Sequence, residues 1–335
     1  MGGLYDIRVF SHGSEALRAM YQLAPDAVLV DERTMSTQGG GIHRTKCKDD
    51  RLTNIPFIIM SDVHEGEFMI GNGTGATDHF MKRPIPINLI LDRIANSMSQ
   101  KVEKSWNKLP KAAGQALRST ADQFDSIAKA VANNTPLDRA QVTASCNPLI
   151  ACVSNNQHKH VLMGLRGHDN YTYVHSMRVA VFMSVFAKAY NVSKDEMTLL
   201  ATGGYMHDVG KMVMPQALLN TSEDLNEEEW LEMRDHVNHS GTIVGNIEDV
   251  NPILRVIAEQ HHERLDGSGY PNGLSGLQLN ELARMAAIAD VFAGLTDERP
   301  YKFAMETDAA FTEMVHMGPA LDQHLLKLFQ QAVCD

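Results

Sequence analysis

Cysteine is scarce in this chain. There are four in 335 residues, Cys47, Cys146, Cys152 and Cys334, and no two form a C-x-x-C pair. Neither a disulfide framework nor a thiolate zinc site is supported by that pattern. Long apolar runs are missing as well. The greasiest stretch, Val179–Phe186, is soon followed by Lys188, far short of the roughly 18 residues that suggest a membrane span. The first residues, Met1-Gly2-Gly3-Leu4-Tyr5-Asp6, hold no basic region followed by an apolar stretch, so no secretory signal is read. Positive charge is in deficit: 30 Lys and Arg against 41 Asp and Glu give a net charge of −11. Such a chain lacks the overall basic field that gripping a nucleic-acid polymer requires. A small anionic ligand held by a few local cations stays open. No internal repeat is found. These absences point to a cytoplasmic protein. Its 44% hydrophobic and 21% charged content is that of an ordinary globular chain, and its length suggests two domains at about 150 residues each.

What is present changes along the chain. Asp6–Phe10 alternates like a strand, Gly13–Leu23 has helical spacing, and Ala27–Val30 and Ile55–Met60 read as buried strands. Pro84–Met98 reads as an amphipathic helix. Strands alternating with helices imply a parallel sheet, so residues 1–98 are expected to form an α/β domain. Residues 99–139 are expected to be a helical connector. There, Phe124, Ile127, Ala128 and Val131 make an i, i+3, i+4, i+7 stripe, which offers a partner-binding face, and Asn133-Asn134-Thr135-Pro136 ends it. From 140 to 335 strand signals nearly vanish. Helices are predicted near 141–154, 156–166, 170–190, 193–206, 226–246, 251–263, 280–296 and 306–334, the last interrupted at Gly318-Pro319. Asn226 followed by three glutamates is a good helix start. Arg264–Leu279 is glycine-rich and non-helical, and a loop of that length in a helical domain is usually functional.

Histidine is over-represented, with 15 residues, eleven of them from His158 onward. It is the commonest metal ligand. His175, the His207-Asp208 pair, His236, the His261-His262-Glu263 run and Asp290 each fall on a different predicted helix or at a helix end. A helical bundle can aim such side chains at one centre. Five imidazoles and two carboxylates without sulfur suit Fe, Mn, Ni, Co or Zn. Seven ligands are too many for one catalytic ion and suit two, with Asp208 placed to bridge them. Two such ions can hold a hydroxide nucleophile and clamp the oxygens of a phosphodiester.

The run His207-Asp208-Val209-Gly210-Lys211, taken with His261-His262-Glu263-Arg264-Leu265-Asp266-Gly267-Ser268-Gly269-Tyr270-Pro271, resembles the HD-GYP subgroup of the HD superfamily. The resemblance covers roughly residues 140–335 and includes Asp297-Glu298-Arg299-Pro300-Tyr301-Lys302. It implies an all-helical, metal-dependent phosphodiesterase that opens cyclic di-GMP to pGpG or GMP through a dinuclear, metal-bridged hydroxide. By position it implies His175, His207, Asp208, His236, His261, His262 and Asp290 as metal ligands, with Fe or Mn foremost. Lys211 is implied near the scissile phosphate, Tyr270 in contact with substrate, and Arg299 and Lys302 as its phosphate-binding cations. Gly267 and Gly269 are expected to allow sharp turns and Pro271 to stiffen the loop. In two places the sequence departs from the pattern. Tyr171 stands where some members carry an acidic residue linked to a third metal, so two ions are expected. Ala293 stands where many members carry aspartate, which implies a slower enzyme or another cyclic dinucleotide.

Residues 1–98 resemble a response-regulator receiver of the flavodoxin-like kind. Pro25–Asp31 is similar to the strand ending in the phosphoacceptor, here Asp31; Ser61 and Lys82-Arg83-Pro84 stand at further matching places. The first strand and helix of that fold are not found. The expectation is a start further upstream, or another segment or subunit filling the gap, or a degenerate dimerisation domain.

The whole then reads as a bacterial signalling enzyme, with an incomplete receiver joined by a helical connector to an HD-GYP phosphodiesterase. Expected partners are a cyclic dinucleotide, a sensor kinase or diguanylate cyclase, and a second copy of the chain. Three alternatives stand beside it: a catalytically weak cyclic-dinucleotide sensor or scaffold, a phosphodiesterase for cyclic GMP-AMP, and an HD phosphohydrolase for another nucleotide.

Overall fold

In the computed structural model, residues 6–31, 42–62, 78–219, 221, 224–298 and 304–334 are described. They divide into two compact units, one of residues 1–104 with 167–170, the other of 105–166 with 171–335.

The first unit is built on a parallel sheet in the order β1 (Val28–Asp31), β2 (Phe57–Ser61), β3 (His79–Lys82). β2 is central, and its Phe57, Ile58 and Ile59 are fully buried, as a strand paired on both edges and covered on both faces should be. Met20 of helix Gly13–Gln22, with Val30, Ile42, Leu52 and Ile55, completes this small core. Asp6–Phe10 forms no strand, and its residues are exposed. Alternation alone is insufficient where no neighbouring strand accepts the ladder. Asp31 ends β1 and pairs with Arg83 at 2.7 Å, while Arg83 also reaches Asp62 at 2.9 Å. Among the described residues Asp31 belongs to no group of three or more metal-ligating side chains.

The second unit is a helical assembly around Tyr171–Ala189. Thirteen of that helix's 19 residues are buried, so it is apolar nearly all round, the pattern of a helix at the centre of a bundle. Lys194–Met206, Glu281–Thr296 and Gln323–Cys334 pack against it. Phe329 of the last helix lies against Phe186, Phe292 and Phe311, with ring centroids 4.7–6.0 Å apart within this cluster.

Helix Lys111–Ala132 belongs to this unit. The stripe read as a partner-binding face turns inward: Phe124 and Ile127 are buried, the Tyr173 hydroxyl donates to Leu117 O at 3.0 Å, and the Tyr205 hydroxyl donates to Thr120 O at 2.6 Å.

Several helix starts follow capping chemistry visible in the sequence. Ser193 with Glu196 and Asn226 with Glu229 form reciprocal capping boxes, and Asn251 and Asn280 cap Pro252–Gln260 and Glu281–Thr296. The predicted 226–246 helix is two helices, Glu227–Arg234 and His236–Gly245, which break at Asp235. That break places His236 at a helix end.

Candidate metal centre and its loop

Six elements converge on one buried point. His175 lies in the second turn of the Tyr171–Ala189 helix. His207 caps the end of Lys194–Met206, and Asp208 opens the short turn Val209–Val213. His236 begins its helix, and His261 caps the end of Pro252–Gln260. Asp290 lies within Glu281–Thr296. All six are at most 7% exposed, and His262 follows directly after His261.

Asp208 is the centre of the arrangement. Its Oδ2 faces His207 Nε2 at 3.3 Å and His175 Nε2 at 3.6 Å. Its Oδ1 faces His236 Nε2 at 3.1 Å and His261 Nε2 at 3.6 Å. Asp290 offers Oδ1 to His175 Nε2 at 3.0 Å and Oδ2 to His262 Nδ1 at 3.5 Å. Two ligand groups follow, His175 with His207 and Asp208, and His236 with His261, His262 and Asp208. Asp208 belongs to both.

The imidazoles are oriented from behind. His207, His236 and His261 place Nδ1 at 2.7, 2.6 and 3.0 Å from the carbonyls of Gly204, Met233 and Ala258, each three residues earlier. A carbonyl only accepts, so Nδ1 must donate and the lone pair is left on Nε2. Those three Nε2 atoms and Asp208 Oδ1 are buried and have no hydrogen-bond partner. Orphaned buried polar atoms are costly. Four of them around one point, all nitrogen or oxygen donors, fit divalent transition metal ions.

The electrostatics agree with that geometry. Burial works against the Asp208 charge, yet Lys211 and His207 hold its pKa well below the usual carboxylate range. Burial opposes Asp290 in the same way and His175 outweighs it. Burial, reinforced by His207, pushes His261 down to about 4; burial and His261 depress His262. Both imidazoles are therefore neutral and able to ligate.

Lys211 places Nζ on Asp208 Oδ2, beside the centre. The loop Arg264–Leu279 closes over one side. Tyr270 stacks on His262 with centroids 4.7 Å apart, and Arg234 lies 5.1 Å from the Tyr270 ring centre. Gly267 has φ +83° and serves a turn. Gly269 serves closeness: a Cβ there would meet Arg264 N at 2.3 Å and Glu263 C at 2.5 Å. Arg299 and Lys302 lie outside the described residues.

Three contributors escaped the sequence reading. Glu263, 1% exposed, accepts hydrogen bonds from Asn272 N at 2.7 Å and Leu274 N at 2.9 Å, pinning the loop. Asp297 and Arg178 form a buried ion pair behind His175. For Glu263 the signal was present, an acid next to two histidines. Asp297 and Arg178 carry no local signal.

Residues 163–325 match the family model described as HD domain. A cyclic di-GMP phosphodiesterase of Pseudomonas aeruginosa is 32% identical over 172 residues, 51% of this chain and 42% of that protein. A 3'3'-cGAMP-specific phosphodiesterase of Vibrio cholerae is 32% identical over 164 residues, 49% of this chain and 35% of that protein. The match thus spans less than half the length of either relative. A solved structure from Bdellovibrio bacteriovorus, described as an HDG"Y"P protein, superposes with a TM-score of 0.55 at 16% identity, covering 74% of this chain and 82% of that one, which speaks for a shared fold. Over residues 163–325 the chain is thus similar to HD-domain proteins.

Proposed function

We propose that this protein hydrolyses a phosphodiester bond of a cyclic dinucleotide, cyclic di-GMP first among them, at two divalent metal ions. The observation that carries this reading is the sharing of Asp208. One oxygen faces His175 and His207, the other faces His236 and His261, so one carboxylate spans two adjoining groups of donors. Asp290 and His262 complete the sets. Bound there, two metal ions would lower the pKa of a water molecule toward neutrality and neutralise charge on the phosphate. The donor chemistry suits Fe, Mn, Ni, Co or Zn, and Fe or Mn are put first among them by the sequence resemblance.

The remaining work belongs to the chain. The carbonyls of Gly204, Met233 and Ala258 fix three rings as Nδ1–H tautomers. Lys211, whose Nζ lies on Asp208 at the edge of the centre, would hold a phosphate oxygen as a point charge. Tyr270, held over His262, forms one wall against which a nucleobase or ribose can rest. Arg299 and Lys302 are proposed as phosphate-binding cations from their sequence positions.

Cyclic GMP-AMP is the second candidate substrate, supported by the Vibrio cholerae relative specific for 3'3'-cGAMP. We read the N-terminal parallel sheet as a receiver-like regulatory part with Asp31 as its phosphoacceptor position. A cyclase, a sensor kinase or a second copy is a proposed partner of the chain.

The test is turnover. Protein purified without oxygen and loaded with Fe or Mn is expected to linearise cyclic di-GMP, and His207→Ala/Asp208→Ala to abolish it. Undiminished turnover in that variant, or tight binding of both dinucleotides without any product, contradicts the reading.

A further inference from the structure

Four imidazoles present Nε2 to the two carboxylates at the centre, and three of them find their rear partner at the end of a helix. Gly204, Met233 and Ala258 lie in final turns, where carbonyls are left over by the helix ladder. His175 has no such recourse. It sits five residues into a 19-residue helix, where the carbonyls behind it are engaged in the ladder. Its Nδ1 is met by Asp297 Oδ2 at 2.9 Å instead.

Asp297 is itself held firmly. It lies directly after helix Glu281–Thr296 and is 2% exposed. Its Oδ1 pairs with Arg178, and Arg178 also donates to Thr296 O at 3.2 Å and Thr296 Oγ1 at 2.6 Å. The Tyr171 hydroxyl donates to Asp297 Oδ2 at 3.4 Å, and its ring stacks on His175 with centroids 5.8 Å apart. Residues 171, 175 and 178 form one stripe of one helix, and all three converge on Asp297. Ala293, one turn before Asp297, offers no carboxylate.

A carboxylate behind an imidazole fixes its tautomer and makes its other nitrogen a stronger donor to metal. We propose that Asp297 is a positioning residue: it holds His175 with Nε2 aimed at the ion shared with His207 and Asp208, and Arg178 and Tyr171 hold Asp297 in place. This rests on the reading of His175 as a metal ligand. It assigns the two ions unequal dependence on residue 297, because the His236, His261 and His262 group has no carboxylate of this kind behind it among the described residues.

The experiment measures metal binding in the full chain, by chelator competition with Co2+ and by the visible spectrum of the cobalt form. Wild type is expected to bind two ions. In Asp297→Asn, one ion is expected to bind about 10- to 100-fold more weakly, with an altered cobalt spectrum for that site, and the other ion to be unaffected. Arg178→Met/Asp297→Asn removes the buried cation that the single change leaves unpaired, and covers a single variant that fails to fold. Both affinities and the spectrum unchanged in a folded variant overturn the role of Asp297 alone. A wild type that binds fewer than two ions overturns the two-ion reading and this inference with it.

Discussion

Lys211 Nζ rests on Oδ2 of Asp208, the same oxygen that faces His175 and His207. The lysine therefore neutralises, from within the chain, the carboxylate that two ions are proposed to share. Removing one partner of a buried pair leaves an uncompensated charge and costs about 3–5 kcal/mol; Lys211 is partly exposed, so the lower end applies. Lys211→Met is expected to lower the melting temperature of the metal-free protein, and the loss to shrink when metal saturates the centre. Calorimetry with and without chelator reads both. The same variant is expected to lose about 100- to 1000-fold in kcat, the scale of one transition-state charge contact.

Glu263→Gln tests the loop. One carboxylate now accepts from two backbone amides, and an amide side chain has one acceptor and turns its NH2 toward the second N–H. The expected cost is about 1–3 kcal/mol, concentrated in the loop. Limited proteolysis within residues 264–279 should quicken and KM should rise, with metal content unchanged. Equal cleavage rates in the two proteins contradict this role.

Gly269→Ala places a methyl against the Arg264 and Glu263 backbone. Backbone there cannot give way as a side-chain tip would, so the loop must move off Tyr270's present seat over His262. Turnover is expected to fall at least tenfold, while Gly276→Ala, whose Cβ meets nothing within 4 Å, disturbs only its own φ. A Gly269→Ala enzyme with wild-type kcat/KM contradicts the close approach.

Acidity separates two imidazoles in the metal-free protein. His261 is pushed down to about 4 from 6.5. Unfolded chains take up this proton below 6.5 and folded ones do not until about 4, so its contribution to stability is present above 6.5 and lost as pH falls toward 4. His175 is opposite in sign. Burial opposes its proton, but Asp290 and Asp297 outweigh burial and push it up to about 9; its contribution is full below 6.5 and lost as pH rises to 9. The melting-temperature difference between wild type and His261→Gln, both metal-free, is expected to fall from pH 7 to pH 4. The difference from His175→Gln is expected to fall from pH 6.5 to pH 9. Differences that stay constant with pH contradict these assignments.

The parts of the site written as local strings were legible before any coordinates. His207-Asp208 and His261-His262 announce themselves by adjacency, and the Asn226 and Ser193 caps fix where their helices begin. Asp297 was not legible, because its partner His175 is 122 residues away and no periodicity records such a pairing. Ile127 and Phe124 were read as a stripe, correctly as a helix, but a stripe does not say whether its partner is another protein or the rest of the same unit. Asp6–Phe10 shows the converse: alternation without a neighbouring strand is exposed chain.

Elemental analysis of the purified chain, wild type beside Asp208→Ala, goes to the centre of the account. Because one carboxylate faces both groups of histidines, wild type is expected to carry two transition-metal ions per chain and Asp208→Ala to lose both at once. A wild type without transition metal, or an Asp208→Ala protein that keeps two ions, contradicts it.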